Sequence, residues 1–319
     1  MQTCLVTGAT GFLGRYLVRQ LSQSGVRVRV LLRHPAACSY WQEAIEGELT
    51  DKPAAYRAAL EGVDTVFHLA AIAHRQADAA LYQYINCDAT LALAKQAELS
   101  GVKRFVFVSS TKAMVEPGAV RRDESWLAWP VDAYGYSKRL AEQRLFEEIR
   151  IPQLAVIRPS LMYGAGVKGN LQAMLRAIDK GYFPPLPETM AERSMVSAED
   201  VCRALVHVSA HAGANRQALI ATDGEAYTAY GIYQAMRQAL DIPPSRWTMP
   251  LGLLQAAGHC GDRLRHFWPS FPLDSGAIER LTGPAAYSSQ ALRALGWEPS
   301  QDFYEVLPAM VQAYRESSV

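Results

Sequence analysis

One tyrosine and one lysine stand four residues apart in Tyr134-Gly135-Tyr136-Ser137-Lys138, the only Tyr-x-x-x-Lys of the chain. On a helix, residues at that spacing share a face, so both side chains can enter one cleft. A free phenol, with a pKa of about 10, is a poor acid or base near neutrality. A neighbouring ammonium and the positive ring of an oxidised nicotinamide both favour the phenolate and lower that pKa. Tyr134 can then exchange a proton with a substrate oxygen while hydride moves at the adjoining carbon.

Hydride chemistry needs a carrier, and the chain opens on the residues to hold one. Thr7-Gly8-Ala9-Thr10-Gly11-Phe12-Leu13-Gly14 follows a strand-like run and begins an amphipathic one. This is Gly-x-x-Gly-x-x-Gly, in which glycines allow a tight turn and close approach to a pyrophosphate. The N-terminus of the following helix offers unpaired N–H groups and partial positive charge to the phosphates. Gly8, Thr10, Gly11, Phe12, Leu13 and Gly14 are therefore assigned to a dinucleotide. At 19 positions past Gly14, where an acidic residue would bind the ribose hydroxyls of NAD, stands Arg33. A guanidinium suits a 2′-phosphate, so NADP is favoured over NAD.

The elements that must position these groups alternate through the first half. Apolar runs of strand length lie at 3–7, 26–32, 65–69, 105–109 and 154–157, with helical patterns at 12–24, 54–60, 80–99 and 133–149. Continuous apolar strands separated by helices predict an α/β fold, a Rossmann-type doubly wound parallel sheet covered on both faces. After Pro159 glycine and proline become frequent, one strand (218–222) returns to the sheet, and helices at 171–180, 230–240 and 303–315 suggest a smaller C-terminal cap. The expected division is a dinucleotide-binding unit over 1–168, rejoined by 195–222, and a substrate-binding cap over 169–194 and 223–319. A short apolar run at 249–257 is read as a buried or cap helix.

Composition excludes several partners. Half of the 319 residues are apolar, a fifth are charged, and the formal net charge is +1. Nothing here favours nucleic acid or an anionic membrane surface. No run reaches about 18 apolar residues, and the N-terminus has no signal-peptide pattern. Five scattered cysteines without Cys-x-x-Cys spacing suggest reduced thiols, no metal and a cytoplasmic location. A small-molecule substrate is expected.

Further motifs extend the pattern: His68-Leu69-Ala70-Ala71, Asn86 followed four residues later by Thr90, Ser109-Ser110, Arg158-Pro159, Arg193 before Ser-Met-Val-Ser-Ala-Glu-Asp-Val, and Leu295-Gly296-Trp297-Glu298-Pro299. Together with the glycine loop and the Tyr–Lys pair, they make the chain resemble the extended short-chain dehydrogenase/reductases that modify nucleotide-sugars. The resemblance spans essentially the whole sequence. It implies a catalytic Ser or Thr about 24 residues before the Tyr, which selects Ser110 over Ser109 and Thr111. It implies that Ser109, Leu69, Ala70, Ala71, Pro159, Tyr134 and Lys138 line the cofactor, with Glu48 and Leu49 near the adenine. Asn86 would anchor backbone and water near Lys138. Asn170, Leu171, Arg193 and Arg280, with Ser110, would contact the nucleotide-sugar, Arg193 at its pyrophosphate.

The dehydratases of that branch carry an Asp-Glu pair where this chain has Thr111 and Lys112, so dehydration is not expected. The implied activity is NADPH-dependent 4-keto reduction of a UDP-linked 6-deoxy-N-acetylhexosamine, for surface polysaccharides. The alternatives are a UDP-sugar 4-epimerase with tightly held NAD, a steroid- or flavonoid-type reductase, and a non-catalytic dinucleotide sensor. The resemblance also implies a homodimer through the helices at 80–99 and 133–149. His74 is a further candidate for the cleft.

Overall fold

The computed structural model describes residues 2–34, 38–50, 53–73, 77–114, 121–245, 247–264 and 274–317, and of 53–55 and 280 the backbone alone. The first half runs β1 (Thr3–Thr7), α1 (Phe12–Gln23), β2 (Arg27–Leu32), β3 (Glu43–Glu46), α2 (Pro53–Leu60), β4 (Thr65–His68), α3 (Ala79–Gln83), α4 (Ala89–Leu99), β5 (Arg104–Val108), α5 (Ala133–Glu148) and β6 (Gln153–Pro159). Then follow β7 (Leu161–Tyr163), α6 (Asn170–Asp179), β8 (Met195–Ser197), α7 (Ala198–Ala210), β9 (Ala218–Ala221), α8 (Ala229–Ala239), α9 (Leu251–Leu264), α10 (Ser275–Thr282), α11 (Gln290–Ala294) and α12 (Phe303–Ser317).

Seven strands form one sheet in the order β3-β2-β1-β4-β5-β6-β9, every pair parallel. Alternate residues of each strand enter different cores, as the two-residue period requires. Cys4 and Val6 pack with α1 and α7, while Leu5 packs with α2, α4 and α5. Both faces are thus covered, and the doubly wound α/β reading of the sequence holds. The strand order reverses beside β1, with β2 on one flank and β4 on the other, which opens a crevice at the carboxyl ends.

A third core lies in the C-terminal part, where Leu171, Met174, Leu175 and Ile178 of α6 meet α8, α12, Tyr163 and Met195. β7 and β8 pair with each other in a separate two-stranded sheet. β7, β8, α7, α10 and α11 have no counterpart among the elements expected from the sequence pattern, and three further features differ from it. β3 is an additional strand, and its Glu-Ala-Ile-Glu is a half-exposed edge with no apolar run to announce it. The helix expected over 80–99 is interrupted by a π-helical turn at Tyr84–Asp88, which turns Asn86 inward until it is fully buried. The run at 249–257 begins α9, which extends to Leu264; it buries Leu254 but leaves Leu253 exposed, so only one side packs.

Candidate active site

Gly8 ends the first strand's turn at φ +72°, and a Cβ there would lie 2.8 Å from the Ala70 nitrogen. The loops after β1 and β4 are therefore in backbone contact, which only glycine permits. At Gly14 a Cβ would come 2.1 Å from the Gly8 carbonyl oxygen, so α1 must pack where no side chain fits. Gly11 opens α1; no side chain caps the helix, and no carboxylate stands in its first turn. That leaves the first-turn N–H groups without a side-chain cap or a carboxylate of their own turn. Phe12 and Leu13 begin the helix, with Leu13 in the core under the sheet.

Around this cradle the other cofactor candidates gather at the strand ends. Leu69, Ala70 and Ala71 follow β4 and are half-buried. Arg33 is exposed just past the end of β2. Glu48 is exposed beyond β3, and Leu49 packs on the core of that face. Pro159 closes β6. The Ser109 hydroxyl is buried and has no hydrogen-bond partner among the described residues, a donor and acceptor at the end of β5. The glycine cradle, the uncapped helix and this hydroxyl fit a dinucleotide.

The three hydroxyls at 109–111 part company. Ser109 is unpaired among the described residues; the Thr111 hydroxyl draws the Tyr287 phenol down, and the Ser110 hydroxyl draws the Tyr134 phenol down. Ser110 also caps the turn at Thr111–Ala113, its Oγ accepting from the Lys112 N–H at 3.1 Å. Tyr134 lies in the first turn of α5, which Asp132 caps through the Gly135 N–H. Gly135 is needed there, since a Cβ would sit 2.1 Å from the Lys112 carbonyl oxygen. This contact brings the end of β5 against the start of α5.

Lys138 follows one turn later, buried, with Nζ donating to the Val108 carbonyl at 2.8 Å and lying 4.5 Å from the Phe107 ring centre. Burial pushes its ammonium down to about 7, against the opposing pull of Glu142. Glu142 itself is clamped by Arg158, with Nε–Oε1 at 2.9 Å and Nη2–Oε2 at 2.5 Å, both residues 2% exposed. Such a buried bidentate pair fixes α5 against β6 more than it adds net stability. Asn86 ties the other side: its Oδ1 accepts from the Ile72 N–H, and its Nδ2 donates to the Ile72 carbonyl and to Ser137 Oγ.

The Tyr-x-x-x-Lys spacing predicts that Lys138 and an oxidised nicotinamide ring together lower the Tyr134 pKa. In the structure burial dominates and pushes the phenol up to about 12, the Ser110 bond opposes it, and Asp132 and Tyr82 reinforce the rise. Lys138 donates to the Val108 carbonyl, and a phenol pushed up to about 12 keeps its proton near neutrality.

The substrate-side candidates are more dispersed. Asn170 is exposed at the start of α6, whereas the Leu171 side chain is spent in the cap core, leaving its backbone alone for any ligand. Arg193 is half-buried, and its Nη2 donates to the carbonyls of Leu281 (3.2 Å) and Gly283 (2.9 Å). Burial holds it below the usual arginine value. The Arg280 side chain, His74 and the basic residues Arg265 and His266 lie outside the described residues. Among the described residues, no group of three His, Cys, Asp or Glu side chains is placed to hold a metal ion.

Some residues of this region carry no sequence signal. A ladder of isolated bridges joins Arg122 to Tyr287, Ala285 to Arg193 and Arg193 to Tyr227. Bridged residues share a face, as do residues two apart on one strand, so Arg193, Tyr287 and Arg122 project together. Both guanidiniums lower the buried Tyr287 phenol, although burial still leaves it at about 12. Trp126, unassigned from sequence, packs under Arg122 and beside Tyr287; Trp129 is exposed and tilts against Tyr136.

Residues 4–221 match the NAD dependent epimerase/dehydratase family. The chain belongs to that family. Among its relatives, a UDP-glucose 4-epimerase of Vibrio cholerae is 31% identical over 334 residues, spanning 99% of this chain and 97% of the other. Epimerase/dehydratase folds of known structure superpose along the whole length. MoeE5 in complex with UDP-glucose and NAD gives a TM-score of 0.77 at 23% identity, covering 99% of this chain and 100% of that one. The Thermotoga maritima UDP-glucose 4-epimerase with UDP-glucose gives 0.78 at 20% identity, with both chains fully covered. The chain is thus an enzyme of an NAD-dependent, extended short-chain dehydrogenase/reductase family that includes nucleotide-sugar epimerases. Among the described residues, no helix is long and apolar enough to cross a membrane.

Proposed function

We propose that this family member reduces the 4-keto group of a UDP-linked 6-deoxy-N-acetylhexosamine with NADPH. What supports the reading is the half-buried Tyr134 phenol in the first turn of α5, held against the segment after β5 that carries Ser110, where burial pushes its pKa up to about 12 and so keeps its proton near neutrality. A phenol held as an acid is suited to giving its proton to an oxygen that is gaining charge. Ser110 stabilises that oxygen by a second hydrogen bond. Lys138, buried one turn along α5 and anchored on the Val108 carbonyl, binds the ribose of the dinucleotide. When bound, the dinucleotide supplies the hydride to the sugar carbon.

The Gly8–Gly14 loop lets the pyrophosphate approach the first-turn N–H groups of α1, the Gly11 N–H itself bonding the Gly8 carbonyl; Ser109 offers its hydroxyl, and Leu69, Ala70, Ala71 and Pro159 close the walls. Arg33, basic and exposed at the end of β2, selects the 2′-phosphate of NADPH. Segments 169–194 and 223–319 form the cap, with Asn170, Arg193 and Arg280 on the nucleotide-sugar. The enzyme works in the cytoplasm as a homodimer through α3–α4 and α5.

A second reading, a 4-epimerase using bound NAD, is favoured by the full-length similarity to the V. cholerae protein. MoeE5 likewise binds NAD beside its UDP-glucose. The two readings differ in stoichiometry. With a UDP-4-keto-6-deoxy-N-acetylhexosamine, the reductase oxidises one NADPH for each sugar reduced. Interconversion of UDP-glucose and UDP-galactose with no net change in dinucleotide would replace it by the epimerase.

A further inference from the structure

His68 belongs to a motif that the reaction leaves unused, yet it sits at the crossing of a hydrogen-bond chain. Its ring is fully buried, with Nδ1 2.7 Å from Thr7 Oγ1 and Nε2 2.9 Å from Thr90 Oγ1. Counting protons fixes the direction of each bond. The Thr90 hydroxyl donates its one proton to the Asn86 carbonyl, so it must accept from His68 Nε2–H. Thr7 Oγ1 accepts from the Ala70 N–H, so its proton is available for His68 Nδ1. Every group is satisfied when the imidazole is neutral and carries its proton on Nε2.

The chain joins the parts assigned to the dinucleotide. Thr7 directly precedes Gly8, and Ala70 is the residue whose nitrogen a Gly8 side chain would strike. Asn86, at the other end, grips Ile72 and Ser137, and the Ser137 hydroxyl donates to the Tyr134 carbonyl. The imidazole also stacks on Phe107, with ring centres 5.7 Å apart and planes 18° from parallel, and Lys138 Nζ lies over that same Phe107 ring. A second positive charge here would face Lys138 and strand the Thr7 proton. Burial and Lys138 together hold the imidazole down at about 3.

We propose that His68 is a positioning residue of the dinucleotide site: a neutral imidazole in its Nε2–H form that fixes the spacing of the glycine loop against the Leu69–Ala71 loop and registers both on the Asn86–Ser137 anchor of α5. It touches neither dinucleotide nor substrate, and it acts through Thr7 and Thr90. The role rests on the assignment of the glycine loop to a dinucleotide.

The test combines a spectroscopic and a binding measurement on the full chain. Nitrogen-15 spectra of the histidine-labelled protein report the His68 tautomer between about pH 5 and 8, where a free imidazole titrates. The expected signal is a neutral ring protonated at Nε2 throughout. Removing the acceptor with Thr90→Val weakens NADPH binding about tenfold, the worth of one buried hydrogen bond. The KM for NADPH rises with it, while kcat at saturation holds. Thr90→Ser, which keeps the hydroxyl, restores both the tautomer and the affinity. An imidazolium or an Nδ1–H ring in the wild type overturns the proposal, and this arm stands even where a variant does not fold. Wild-type affinity in Thr90→Val also overturns it. Failure of the wild type to bind either NADPH or NADH removes the dinucleotide assignment and this role together, and the intact Nε2–H signal then tells that failure apart.

Discussion

The two sides of the cleft are built in different ways. On the sheet side, each candidate side chain is held by neighbours close in the fold's own repeating pattern: a strand end, a glycine turn, the next turn of one helix. Ser110, Tyr134 and Lys138 are fixed by the Gly135–Lys112 contact, the Val108 carbonyl and the Glu142–Arg158 clamp. On the cap side, Arg193 reaches its position through a ladder that joins it to Ala285 and Tyr227 and through carbonyls 88 and 90 residues away. The Ser110, Tyr134 and Lys138 candidates are placed by regular structure, and Arg193 by irregular pairing over long loops. Rigid elements hold reacting groups to a fraction of an ångström, whereas loops are free to vary with the ligand.

The contrast can be broken most severely at Lys138. Lys138→Met removes the buried cation anchored on the Val108 carbonyl, and kcat falls about a thousandfold, within the range for losing one electrostatic group. Steady-state kinetics with saturating NADPH checks this. Gly14→Ala tests the other sheet-side pillar, because its Cβ would press on the Gly8 carbonyl from 2.1 Å. Neither backbone can yield cheaply, so NADPH affinity drops about a hundredfold, read by fluorescence titration.

A smaller effect follows from pH. The Lys138 pKa, about 7 when folded, lies below the unfolded value of about 10.4. Between those limits the unfolded chain binds a proton that the folded chain refuses, so stability rises with pH across the window. The slope is at most about 1.4 kcal/mol per pH unit. Urea melts of wild type minus Lys138→Met isolate it; an unchanged difference from about pH 7 to 10 would contradict the buried ammonium. Last, Arg33→Glu shifts the NADPH-to-NADH preference about tenfold toward NADH, with kcat little changed, since a charge-assisted contact to the 2′-phosphate is exchanged for repulsion.

The same contrast governs what the sequence alone makes legible. Glycine spacing after a strand and a Tyr–Lys pair at four residues are local codes, so the dinucleotide crevice and its central pair can be read from residue order. The parallel sheet is legible too, because its buried strands are unbroken apolar runs. β3 escapes because an edge strand exposed on one side needs no such run. The π-helical turn at Tyr84–Asp88 escapes because one extra residue in a turn leaves the apolar pattern almost unchanged. Tyr287 and Arg122 escape for a different reason: no spacing encodes a bridge between segments so far apart. Sequence order likewise does not reveal that Lys138 donates to the Val108 carbonyl or that burial pushes the Tyr134 phenol up to about 12.

The division of labour is tested most directly by one paired kinetic measurement, Tyr134→Phe beside Arg193→Ala on the same nucleotide-sugar. Tyr134→Phe should lose about a hundred- to ten-thousandfold in kcat with KM nearly unchanged, as for removal of a general acid. Arg193→Ala should raise KM for the nucleotide-sugar about tenfold or more and spare kcat. The reverse pattern, or a Tyr134→Phe enzyme working at the wild-type rate, would contradict the account.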